Sequence, residues 1–143
     1  MLNKISKAVG GFISAALFTQ ALVGCAPMPV GAQEAKAISA DRQYAYVGMD
    51  EASLVVTRDK GLSQGKDWFG RAHGIDFLID GKRVATIWSG EVVRFGLKAG
   101  PHIIAVTTGG PLVEREINLK VGETMRRRIP DSQDLDVTPT AYK

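Results

Sequence analysis

One cysteine, Cys25, is the entire thiol content of the 143 residues, so no disulfide forms within one chain and the fold must rest on its core. Histidine is almost as scarce, at His73 and His102. A zinc site wants three or four nitrogen, sulfur or oxygen ligands. Asp67, Asp76 and Asp80 are candidates, but none stands at tight metal-ligand spacing, so no metal and no cofactor are expected. A serine nucleophile in G-x-S-x-G context is missing too, and Ser63 and Ser89 stand in no such elbow. No apolar run reaches the roughly 20 residues that a spanning helix needs. No internal repeat is visible.

What is present begins with a leader. MLNKISK carries Lys4 and Lys7 and no acid, and AVGGFISAALFTQALV, residues 8–23, is mostly apolar and uncharged. A basic start, a short apolar core and then small residues make a secretory signal peptide, so residues 1–24 are set aside from the fold. Without Lys4 and Lys7 the formal net charge falls from +3 to +1. A near-neutral domain argues against nucleic-acid binding.

An odd cysteine in an exported chain implies a free thiol, an intermolecular bridge or a modification. Leu22-Val23-Gly24-Cys25 resembles the lipobox of bacterial lipoproteins, in which one large apolar and two small residues precede the cysteine. The resemblance implies a diacylglyceryl group on the Cys25 sulfur, cleavage before Cys25 and acylation of the new amino group. Two or more acyl chains anchor stably where one is marginal, each buried CH₂ contributing about 0.8 kcal/mol. Ala26, in place of an aspartate that resembles an inner-membrane retention signal, leans towards the outer membrane, with the domain facing the periplasm.

From Cys25 to residue 44 the chain reads as a lipid-anchored tether: APMPVGAQEAKAISA has small residues, two prolines and no apolar period. Residues 40–52 form either a short helix or an irregular lead-in. Residues 45–130 carry the domain. SLVVTRD is rich in β-branched residues. Ile75, Phe77 and Ile79 alternate before Asp80-Gly81, a strong hairpin signal. Val93, Phe95 and Leu97 share a face. KAGPH turns the chain, HIIAVTT follows, and LVEREINLKV alternates Val113, Ile117, Leu119 and Val121 with Arg115 out of phase. TMRRRI is last. Seven short strands punctuated by glycine turns predict an all-β fold, an antiparallel β-sandwich. Residues 131–143 are polar, lack alternation and read as a flexible tail.

The elements Asp80-Gly81-Lys82, Ala99-Gly100-Pro101-His102 and Val121-Gly122-Glu123 resemble PEGA-type domains over about residues 53–130. The opening Leu54-Val55-Val56-Thr57-Arg58 also resembles a family of short bacterial lipoproteins whose domain begins with a strand ending in Arg. The PEGA Thr-Pro before the middle strand is here Thr86-Ile87-Trp88-Ser89-Gly90, and the Pro-Gly-x-His order appears as Ala99-Gly100-Pro101-His102. Both departures favour the lipoprotein family. The resemblance implies a small envelope β-sandwich, with no catalytic residue and no named substrate.

Several side chains remain to be placed. Asp76 and Asp80, four apart, should share the solvent side of a strand opposite Ile75, Phe77 and Ile79. In TMRRRI, Arg127 falls between Met125 and Ile129 on the apolar face; it frays the strand, snorkels at a rim or pairs with an acid. Arg58 raises the same question, with Asp76, Asp80, Glu114 and Glu116 as available partners. Trp68 and Phe69, in the glycine-rich loop GLSQGKDWFGRAHG, either cap the sandwich or form a binding surface. Together these readings predict a lipid-anchored, non-enzymatic envelope module that binds or adapts an envelope protein through Trp68, Phe69 and Arg127. The alternative is a module that binds a ligand, glycan or lipid.

Overall fold

The computed structural model describes residues 29–61, 74–131 and 135–143. Cys25, the leader, Trp68, Phe69 and His73 lie outside them. The described residues form an all-β sandwich of two sheets. The seven expected strands are β2 (Ala52–Arg58), β3 (Ile75–Ile79), β4 (Lys82–Ile87), β5 (Glu91–Leu97), β6 (Gly100–Thr107), β7 (Val113–Leu119) and β8 (Thr124–Ile129). Two short strands join them, β1 (Lys36–Ala37) and β9 (Thr138–Pro139). One sheet has the order β1-β5-β2-β8-β9 and the other β4-β3-β6-β7.

β2 lies between β5, which it pairs antiparallel, and β8, which it pairs parallel. That central place explains Leu54-Val55-Val56, an apolar run without alternation: all three are at most 1% exposed, as a strand covered on both faces requires. β3 keeps its alternation because one face meets the core and the other does not. Phe77 of β3 and Phe95 of β5 stack across the two sheets with ring centroids 5.5 Å apart. The β3–β4 hairpin turns at Asp80 and Gly81, at φ 50° and 75°. Positive φ at both central residues is the primed turn whose twist suits a hairpin.

Three expectations need correction. The tether is shorter than residues 25–44: Val30 is buried, and β1 pairs parallel with β5 through Lys36↔Glu91 and Ala37↔Val92. Polar and small residues there carry no period, so their backbone pairing left no pattern to read. The tail is likewise not free over its described part. Val137 is buried, and β9 pairs with β8 through Arg127↔Pro139 and Arg128↔Thr138. Finally, Gly100 and Pro101 belong to β6 rather than to the turn; a proline near the start of a strand loses little ladder bonding.

Residues 40–52 prove to be one 3₁₀ turn, Ala40–Arg42, followed by an irregular lead-in. The lead-in covers the edge of β4 through a Gln43↔Ala85 bridge and a 2.8 Å bond from the Tyr44 amide to the Val84 carbonyl. Farther along it crosses Gly96, whose amide donates to the Tyr46 carbonyl; a Cβ there would come within 2.5 Å of the Gly48 carbonyl oxygen. On the other edge of that sheet, β7 presents Glu114, Arg115 and Glu116 to solvent. Arg115, in the inward register, reaches Asp136 at 2.7 Å. Charges on an edge strand oppose pairing with a stray chain.

Candidate functional site

At the end of the sandwich where β2 and β8 finish and β5 starts, charged side chains are buried together. Arg58 and Asp59 close β2, and Glu91 opens β5; their exposures are 6%, 0% and 5%. Trp88-Ser89-Gly90-Glu91 makes the turn before β5, closed by the Glu91 amide donating to the Trp88 carbonyl. That turn aims the Glu91 carboxylate back at the chain. Its two oxygens each take a 2.6 Å bond from the Arg42 guanidinium, and the Trp88 amide adds a third at 2.8 Å. The Arg42 guanidinium also lies over the Trp88 ring, 4.1 Å from its centroid.

Burial works to raise the Glu91 carboxyl, but the Arg42 and Trp88 hydrogen bonds and the charges of Arg42 and Lys36 hold it below its ordinary value. The Glu91 bond in turn raises Arg42. Burial lowers Arg58, against the charges of Asp131 and Glu91, while its Nη1 donates to the Ile87 carbonyl at 2.9 Å. Among the described residues, the acids whose charges act on Arg58 are Asp131 and Glu91, not Asp76, Asp80, Glu114 or Glu116. Asp59 is raised by burial, against Arg128 and the Val30 amide. Its Oδ2 lies 3.0 Å from Arg128 Nε, a charge contact without hydrogen-bond alignment. Ser89 Oγ donates to the Asp59 carbonyl and accepts from the Gly61 amide, so it is engaged in structure.

Gly61 and Gly74 bound residues 62–73, which contain Trp68 and Phe69. Gly61 is held on Ser89 beside Asp131, and Gly74 packs against Thr86 and Trp88. Gly61 and Gly74 thus both sit beside the ionic cluster. Arg127 is half-buried in the inward register of β8. The strand does not fray there, since Arg127 pairs with Val56 and Pro139. Burial lowers it, against the charge of Glu123. Arg127 is not drawn into the Glu91 cluster.

The opposite end holds the second titratable pair. Asp80 sits in the hairpin turn rather than in the strand with Asp76, which correspondingly bonds Thr86 and Arg83. Asp80 Oδ1 accepts from the Ile103 amide at 2.9 Å, and Oδ2 lies 2.8 Å from His102 Nδ1. His102 Nε2 lies 3.0 Å from the Lys98 carbonyl. Both partners can accept, so this arrangement favours the protonated ring, in which both nitrogens donate. A groove of about 400 Å³ borders the pair, with Pro101, Ile103 and Glu116 on its walls. Among the described residues no three His, Cys, Asp or Glu side chains gather as a metal site.

Burial acts to lower His102, but its bonds to Asp80 and the Lys98 carbonyl raise it above the ordinary 6.5. Burial acts to raise Asp80, but His102 and the Ile103 amide bring it below 3.8. The histidine's contribution is therefore complete below about pH 6.5 and lost as pH rises through its elevated value; the aspartate's is present above about pH 4 and lost in acid. The two-turn tie is expected to stabilise most between those limits. Urea midpoints of wild type should fall between pH 6 and 8 relative to His102→Gln. Parallel curves for the two proteins would show that the tie contributes nothing.

The sequence did not disclose Arg42, Asp59, Glu91 or Arg128 as a cluster. Arg42 and Glu91 are 49 positions apart, and no local period announces such a pairing. A scan against protein-family models and a search of curated proteins found no match to this chain.

Proposed function

We propose that this chain is a lipid-anchored, non-enzymatic module of the bacterial cell envelope. It is held through acyl chains on Cys25, belongs to the short lipoproteins with a PEGA-like domain, and faces the periplasm from the outer membrane. There it acts as a binding or adaptor element of an envelope assembly. The observation that carries the reading is Leu22-Val23-Gly24-Cys25, which places the chain's one thiol directly after a basic and then apolar leader. The chemistry of the described residues supports the non-enzymatic part, because Ser89, His102 and Glu91 each spend their polar atoms on the fold. The charged edge of β7 works against strand addition there.

Two measurements test the proposal. Cys25→Ser should move the protein from the membrane to the soluble fraction and abolish incorporation of labelled fatty acid; a variant that stays membrane-bound refutes the anchor. In-cell crosslinking of the lipidated protein, read by mass spectrometry, should then return one dominant envelope protein. Trp68→Ala with Phe69→Ala should remove that product, and unchanged crosslinks would take the loop out of the proposal. A scatter of abundant neighbours would instead favour the ligand-, glycan- or lipid-binding reading, which a thermal-shift screen checks.

A further inference from the structure

If Cys25 is lipidated, the membrane lies where the chain leaves it, and the described residues show where the chain joins the fold. Val30 is 4% exposed and its amide donates to Asp59 Oδ1 at 3.4 Å. Gly31 packs against the last residue, since a Cβ there would lie 2.5 Å from the Lys143 carbonyl oxygen. The Gly31 carbonyl accepts from the amides of Glu34 and Ala35, and the Lys36 amide donates to the Gly90 carbonyl at 3.0 Å. The domain therefore begins at Val30, leaving only residues 26–29 between it and Cys25. A fully extended chain covers at most about 3.6 Å per residue, so Val30 stays within about 18 Å of Cys25.

Val30 enters beside Asp59, at the end where β2 finishes. The far end, with the Asp80–Gly81 turn, Lys98 and Lys120, is one strand length away. The seven residues of β2 span about 23 Å. If the far end rested on the bilayer, Val30 would stand about 23 Å above it, beyond the reach of the chain. Among the described residues the far end is the more apolar at its surface, with Val47, Met49 and Val121 all more than 75% exposed. Hydrophobicity alone would choose it for the membrane; chain length forbids that choice.

We infer that the domain stands on its own membrane by the Val30–Asp59 end, with a lipid surface as the occupant of that end. Lys36 and Lys60 are exposed there, and Leu112 and Trp88 are half-exposed in the neighbouring turns. Ammonium groups beside an indole and a leucine suit the boundary between phosphate headgroups and acyl chains. Val47, Met49 and Val121 then face away from the bilayer.

The inference rests on the lipid-anchor reading, and its test separates the two. The lipid blocks the Cys25 sulfur, so a second cysteine takes a fluorophore selectively. Pro111→Cys labels the membrane end and Lys120→Cys the far end, both at exposed positions. The lipidated protein is placed in vesicles of phosphatidylethanolamine and phosphatidylglycerol that carry a headgroup quencher. The label at position 111 should be quenched several-fold more than that at 120. A twenty-residue Gly/Ser insert after Ala26, with a mean reach of about 25 Å, should shrink the difference. Equal quenching, or stronger quenching at 120, overturns the orientation, and a difference untouched by the insert overturns its chain-length cause. Absence of lipid on Cys25, seen by mass, instead refutes the anchor.

Discussion

Replacing Glu91 with alanine is expected to cost the domain about 3–5 kcal/mol, the usual penalty for removing one partner of a buried ion pair. The carboxylate meets the Arg42 guanidinium through two 2.6 Å bonds and the Trp88 amide through one, while its charge also offsets the buried Arg58. Its loss leaves a guanidinium and an amide with unmet donors and loosens the 3₁₀ turn from β5. Glu91→Gln keeps the shape and one acceptor and should fall between alanine and wild type. Glu116→Ala, at an exposed position of β7, should stay within about 0.5 kcal/mol. Urea unfolding at pH 7 measures all three. The folded-state carboxyl of Glu91 is depressed, so its contribution is present above the ordinary glutamate range and is lost as pH falls. The penalty of Glu91→Ala should therefore shrink in acid. An alanine variant within 1 kcal/mol of wild type at pH 7, on the scale of an exposed pair, would mean the cluster is no clamp.

Phe77→Ala should be about as damaging, at about 3–5 kcal/mol. Phe77 is fully buried and stacks on Phe95 at 5.5 Å with an 11° angle between rings, so it joins the sheets at the middle of the core. Truncation removes both the transfer free energy of the ring and the contacts of its partner. With no disulfide in reserve and a typical total of about 5–15 kcal/mol, the variant should show a populated unfolded fraction under mild denaturant. A double-mutant cycle with Phe95→Ala should return a coupling of about 0.5–1.5 kcal/mol from the stacked pair. Additive effects would show that the two sheets rest on other contacts.

The strands were legible because their cause is local. Ile75, Phe77 and Ile79 alternate since one face of β3 is buried, and Asp80-Gly81 announces the turn that its positive φ values require. SLVVTRD read as a strand but not as the central one, since a run buried on both faces carries no period. Arg127 kept its place in the strand because the pairing of β8 with β2 and β9 holds its backbone on both sides. β1 and β9 were missed because two-residue strands of polar and small residues form through backbone bonds to distant partners. Reading residues 25–44 as a long spacer failed on the same point: nothing in Val30-Gly31-Ala32 marks a residue that will be buried against Asp59.

By itself, then, the sequence determined the all-β class and the seven principal strands, since alternation and turn chemistry act between neighbours. It also carries the one thiol and the apolar stretch before it. Only the tertiary structure decided which guanidinium meets which carboxylate. Arg42 finds Glu91 across 49 positions, and Arg58 feels Asp131 and Glu91 instead of Asp76, Asp80, Glu114 or Glu116. Such pairings depend on where strand ends converge, and convergence is set by sheet order and by the chain's crossings between the layers. For the same reason only the structure decided that the described domain begins at Val30.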